Sequence, residues 1–276
     1  MPDDAPVHRS ARDSAMVHGE LFHDRHRDCV CPVYDTDERG RTNLVGSVIL
    51  LKIGHTRFAV SGKSVFELLT NRSRIVGAQG PVDFGRPEYL FTRGASARAD
   101  QFGLAYVALA AKHIHALGDC RYLSPGQLDP GERPGHARSM GRAYVALGYA
   151  GRTVATSKTG VLAGQASIVM PALPAGQALY AKLGVTEATH LLLDLDHTNV
   201  GDADRPAPAP GLRGLTGGAW SVPPNPNPAQ PPERLLGYFV EYESGGLKTI
   251  VVTRIGAALE GIKRNFPQLR EALGAK

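Results

Sequence analysis

Two apolar runs near the C-terminus, RLLGYFVEYES (234–244) and LKTIVVTRI (247–255), are separated only by Gly245 and Gly246. β-Branched and aromatic residues fill both runs, and a Gly-Gly pair accepts the left-handed backbone angles of a tight hairpin turn. This stretch is committed to antiparallel sheet. The same texture recurs upstream. CVCPVYD (29–35) alternates and stops at the turn-like TDERGRTN. LVGSVILLKIG (44–54), a turn at His55-Thr56, and RFAVS (57–61) form a second hairpin pattern. YVALGYAG (144–151), SIVMPAL (167–173) and HLLLDLD (190–196) read as further strands.

Helical signals are fewer. KSVFELLTN (63–71) holds one or two turns, GQALYAKLG (176–184) a short helix, and GAALEGIKRNFPQLREAL (256–273) an amphipathic helix bent before Pro267. FGLAYVALAAKHIHAL (102–117) is apolar enough for either strand or helix. Residues 202–232 hold most of the prolines and read as loop. Many short strands and one clear terminal helix point to an all-β fold. Three segments follow: a polar N-terminal arm over 1–27, a first β unit over 28–125, and a second over 126–275 that ends in the helix.

With 276 residues, 42% hydrophobic and 21% charged, the chain has the balance of an ordinary globular protein able to bury a substantial core. The net charge of +5 is spread as single arginines, which argues against a nucleic-acid surface. Three cysteines in so long a chain are not a disulfide framework and fit a reducing, cytoplasmic setting. No apolar run approaches ~18 residues, so no membrane span is expected. The first 27 residues lack the apolar core of a secretory signal.

The sequence Gly62-Lys63-Ser64 after a strand invites comparison with a phosphate-binding loop. That loop needs a glycine five residues before Gly62, where Arg57 stands, and the residues between are strand-like FAVS. A nucleotide cofactor is therefore not expected, and no other cofactor is implied.

The order of elements carries more. A Gly-Ser strand and hairpin, LVGSVILLKIGHTRFAVSGKSVFELL, runs into a helical turn. ADQFGLAYVAL (99–109) follows, then RGLTGGAW (213–220), then the long hairpin and closing helix. Over about residues 28–275 this resembles the trypsin-like serine proteases, in their intracellular bacterial branch. The resemblance implies two packed six-stranded antiparallel β-barrels, a C-terminal α-helix, and a cleft between the barrels. It also places Ser64 where the family has its histidine, Gly103 where it has its aspartate, and Thr216 where it has its nucleophilic serine.

Those three residues cannot reproduce the triad. A serine hydroxyl becomes a nucleophile only when a base takes its proton, and an oriented imidazole does this near neutral pH. Ser64 offers no basic nitrogen, Gly103 no side chain, and Thr216 a hydroxyl crowded by its methyl. By the resemblance, Gly214 and Thr216 would supply the backbone N–H groups of an oxyanion hole, and Gly217 and Gly218 would let that loop take unusual angles. Such a cup would bind a carboxylate or a peptide end, although GLTGG also reads simply as a turn kept for folding. Lys63 as a base for Thr216 is the rival scheme, but on a helical turn it points about 100° from residue 64 and reads as solvated.

Other candidates are less specific. His18, His23, His26, Cys29 and Cys31 are zinc-ligand types, yet their spacing matches no common finger and no metal is expected. Cys29 and Cys31 would share a strand face, as would His113 and His115 if their segment were extended. Asp194, Asp196 and His197 close a strand and read as rim or turn residues. Trp220 reads as core of the second barrel. The sequence thus points to a degenerate trypsin-like protein that binds a protein or peptide partner. The alternatives are a hydrolase rebuilt around Thr216 and, on charge alone, a nucleic-acid-associated module.

Overall fold

The computed structural model describes residues 22, 25–92, 103–129, 143–149, 168–174, 177–195, 216–222, 233–244 and 247–274. Two antiparallel β units and a C-terminal helix organise them. Strands β1 (Val30–Thr36), β2 (Thr42–Ile53) and β3 (Thr56–Gly62) form the centre of the first. Around them lie β4 (Arg74–Gly77), β5 (Gly80–Asp83), β6 (Leu90–Phe91) and β7 (Leu104–Ala108). The hydrogen-bonded order is β5-β4-β1-β2-β3-β7-β6.

The second unit contains β8 (Ala143–Tyr149), β9 (Ile168–Pro174), β10 (His190–Leu195), β11 (Thr216–Val222), β12 (Arg234–Ser244) and β13 (Leu247–Arg254). These six close into a barrel in the order β10-β13-β12-β11-β8-β9. The double-sheet plan therefore matches the expected architecture. The first unit differs in detail: it has a seventh, two-residue strand, and its end strands β5 and β6 do not pair with each other among the described residues.

Helix α1 (Lys63–Glu67) follows β3 directly, and α2 (Ala111–Leu117) follows β7. Helix α3 (Gln177–Leu183) precedes β10, and α4 (Ile255–Asn265) follows β13. The segment 102–117, ambiguous in sequence, is thus both: strand to Ala108, then helix. None of the helices among the described residues is long and apolar enough to cross a membrane.

Alternation along the strands sorts the core into layers. On β2, Ile49, Leu51 and Ile53 face the seam between the units, whereas Val48 and Leu50 face the interior of the first. On β13, Ile250 and Val252 fill the closed barrel, while Val251 packs under α3 with Tyr180, Leu183 and Leu192. Helix α4 presents Ile255, Ala258, Leu259 and Ile262 to the seam, an i, i+3, i+4, i+7 stripe. It stops at Asn265, with only Phe266 between it and a 3-10 segment that begins at Pro267.

Of the N-terminal arm, Phe22 and the residues from 25 onward are described. Phe22 is buried at the seam, and its ring meets Trp220 edge-on at 5.3 Å. His26 is buried beside both rings. Arg25 Nη1 reaches Glu233 Oε1 at 2.9 Å.

Candidate functional site

β3 turns into α1 without a connecting loop. Gly62 is extended (φ −64°, ψ 143°) and Lys63 already helical. This abrupt change sends successive side chains of α1 in different directions. Ser64 is exposed, whereas Val65 and Phe66 are buried. The Lys63 N–H donates to the Gly103 carbonyl at 2.8 Å, so the α1 turn and the start of β7 are neighbours. Two of the three positions singled out by the resemblance are thereby brought together. The Lys63 side chain is not the solvated one expected: it is 19% exposed, with Nζ 3.7 Å from Glu67 Oε1 and 4.9 Å from the centre of the Phe91 ring.

The third position, Thr216, approaches from the other unit. It is 7% exposed and opens β11, aligned with Val240 of β12 on one side and Tyr149 of β8 on the other. Its hydroxyl lies 3.2 Å from Ser47 Oγ of β2, either of which can donate. Gly46 marks the meeting point. A β-carbon there would stand 2.6 Å and 3.2 Å from the two methyls of Val65 and 3.2 Å from Thr216 Oγ1. The side chain that α1 directs toward Thr216 is therefore Val65, with Ser64 facing solvent.

Around this point runs a buried chain of hydroxyls across the seam. Ser61 Oγ lies 2.7 Å from the Ser47 carbonyl and 3.1 Å from Tyr238 OH, and Tyr238 OH donates to the same carbonyl at 3.0 Å. Gly62 makes room for the phenol: a β-carbon there would lie 3.1 Å from Tyr238 Cε1. Neutral hydroxyls satisfy one another well when buried but are poor proton acceptors at neutral pH. Among the described residues, no imidazole, amine or carboxylate hydrogen-bonds the Thr216 hydroxyl. The chemistry available here is cohesion between the units.

Gly217 and Gly218 also differ from expectation. Both lie within β11 and neither has a positive φ. Gly217 faces Gly148 across the β11–β8 ladder, and a β-carbon on it would come within 2.1 Å of the Leu147 carbonyl oxygen. One on Gly148 would come within 2.2 Å of the Thr216 carbonyl oxygen. These glycines serve close strand approach rather than a freely shaped loop. Gly214 lies outside the described residues.

The remaining candidates separate. His18 and His23 lie outside the described residues, as do Asp196 and His197. Asp194 aligns with Thr249 of β13 and Leu173 of β9. Cys29 and Cys31 do not share a face. Cys29 ends a 3-10 turn, Arg27–Cys29, and packs on the seam, whereas Cys31 on β1 faces the interior of the first unit. His113 and His115 lie on α2, two residues apart on a helix and so on different faces; His113 meets the Phe84 ring at 5.8 Å. Trp220 packs at the seam. No group of three or more His, Cys, Asp or Glu side chains among the described residues is placed to hold a metal ion.

Sequence reasoning missed Ser47, Ser61, Tyr238 and Val65. The available signal was the small hydroxyl residue embedded in each apolar strand, VGSVILL and FAVSG, where a buried polar group calls for a partner.

No family model matches the chain, and no curated protein matches it. Among solved structures, similarity extends to a catalytically active tobacco etch virus protease complexed with product, at 8% identity and a TM-score of 0.43, covering 88% of this chain and 80% of the other. The Vibrio cholerae VesB protease matches at 9% identity and 0.49, covering 87% of this chain and 64% of the other, so under two thirds of that protein is spanned. Kallikrein-related peptidase 10 in complex with Zn2+ matches at 13% and 0.42, covering 86% and 95%. Nothing about substrate, metal or catalysis passes from them to this chain.

Proposed function

We propose that this chain is a trypsin-like pseudoprotease that works by binding a protein or peptide rather than by cutting one. One observation carries the reading: the Thr216 hydroxyl is buried and bonded to the Ser47 hydroxyl, with Val65 of α1 closing on the same spot over Gly46. Among the described residues a hydroxyl so placed has no base bonded to it to take its proton, and its burial leaves little room for an acyl group. Gly103 contributes a carbonyl to the Lys63 amide, so its place is filled by backbone rather than by an orienting carboxylate. Among the described residues β5 and β6 are the end strands of the first sheet while the second unit is closed, so an extended peptide would add at one of these ends, and the exposed Leu90 and Phe91 make β6 the more adhesive. A regulatory or scaffolding role in a bacterial system fits such a binder.

The test is covalent labelling. The full chain is treated with a fluorophosphonate probe and mapped by mass spectrometry, with a broad peptide library assayed for cleavage. No adduct at Thr216 and no cleavage is the expected result. An adduct at Thr216, or turnover abolished by Thr216→Val, would make the protein a hydrolase and overturn the proposal.

A further inference from the structure

Cys31 and Cys120 come from distant parts of the sequence and meet inside the first unit. Cys31 is carried by β1 and Cys120 by the segment after α2; they are 2% and 6% exposed. Cys120 Sγ packs against Gly77 of β4, the strand that pairs with Cys31's β1, and the two thiols are within hydrogen-bonding reach of each other. The Ala78 N–H, from the turn between β4 and β5, donates to Cys120 Sγ at 3.2 Å. Cys120 is lowered to about 7, with the Cys31 hydrogen bond as the largest cause. Cys31 is pushed well above the usual thiol range by that same bond and by burial. Of the two sulfurs, it is Cys120 that accepts the backbone N–H of Ala78, which favours its thiolate and marks it as the one to react first. Cys29 is committed elsewhere: its Sγ donates to the His26 carbonyl at 3.0 Å, and burial pushes it up to about 12.

We propose that Cys31 and Cys120 form a reversible dithiol–disulfide pair, oxidised by a hydroperoxide at Cys120 and closed by Cys31. The Cys120 thiolate attacks the peroxide; the O–O bond breaks, an S–O bond forms, and the departing hydroxide takes up the thiol's proton as water. Cys31 then gives up its proton and attacks the sulfenic sulfur. The S–S bond forms as the S–O bond breaks, and a second water leaves. Overall, two thiols and one hydrogen peroxide give one disulfide and two waters. The bond would staple β1 to the segment after α2 and, through the packing of Gly77 against Cys120 Sγ, restrain the β4–β5 hairpin. This pair is separate from the Ser47–Thr216 seam, so its outcome is independent of the proposed binding function.

The reduced full chain is exposed to hydrogen peroxide, alkylated and mapped by peptide mass spectrometry. A Cys31–Cys120 cross-linked peptide, its reversal by dithiothreitol, and a higher thermal midpoint for the oxidised form are expected. Cys29→Ser should behave as the parent. Cys31→Ser should leave a Cys120 sulfenic acid that dimedone traps, whereas Cys120→Ser should leave Cys31 unreacted. The proposal is overturned if folded protein, judged by circular dichroism, gives no such link, or if the link runs through Cys29 or between molecules. Dimedone capture at Cys31 in place of Cys120 would equally overturn it.

Discussion

Gly46 is where two side chains from different units close on one spot. Adding a methyl there forces it to 2.6 Å from a Val65 methyl. Gly46→Ala is therefore expected to destabilise the fold by about 1–3 kcal/mol, read from urea denaturation. Val65→Ala in the same chain should recover part of the loss, and the double-mutant cycle should show coupling of at least about 0.5 kcal/mol. Additive effects would mean the two groups do not meet. His190 gives a second residue-level outcome. It is buried, with Nδ1 2.8 Å from Thr189 Oγ1, and burial first and Arg254 second lower its pKa from 6.5 to about 4. As pH falls, the unfolded chain takes up this proton before the folded one does. The contribution is complete above pH 6.5 and drains away between 6.5 and about 4. His190→Gln should flatten the thermal midpoint across that window; an unchanged slope would remove His190 as the cause.

At the scale of elements, the β11–β8 ladder depends on paired glycines. Gly217→Ala or Gly148→Ala presses a methyl against a backbone carbonyl that no rotamer change can move. Each is expected to cost about 3 kcal/mol in denaturant titrations, well beyond the ~0.5 kcal/mol within which surface substitutions usually fall. The sequence revealed most strands here because their patterns are local. The β12–β13 hairpin and α4 follow from residue type and period alone. β4 and β5 were not legible, since IVG and GPVD are too short to show alternation and owe their pairing to β1. The segment that becomes α2 reads equally as strand or helix in sequence, because its face is set by Phe84 and the first-unit core, not by its own pattern. The site was half legible. The positions of Ser64, Gly103 and Thr216 could be ordered along the chain, but the face each side chain takes depends on the β3-to-α1 turn. That turn hides Val65 and exposes Ser64, a three-dimensional outcome no spacing rule contains.

Across the described residues, one core joins both units, Phe22 and α4. Unfolding should therefore be a single calorimetric transition, with two transitions marking independent units. Phe22→Ala removes a buried ring from this shared core and should cost about 3–5 kcal/mol while keeping one transition. The arm also carries a pH signature. Glu233, near His26 at 3.7 Å and Arg25 at 2.9 Å, is lowered from 4.5 to about 2, with His26 the first cause. Its stabilising effect is present above pH 4.5 and is lost as the pH falls toward 2. Glu233→Gln should remove that acid-side loss; persistence of the full loss in the variant would assign it elsewhere.

The hydroxyls of Ser47, Ser61, Thr216 and Tyr238 have a consequence for assembly. Apolar surfaces slide and rotate against each other at little cost, but these hydroxyls are satisfied in one mutual pose alone. The two halves are thus keyed: of all the ways their greasy faces could be pressed together, this orientation is the one in which these four hydroxyls find each other.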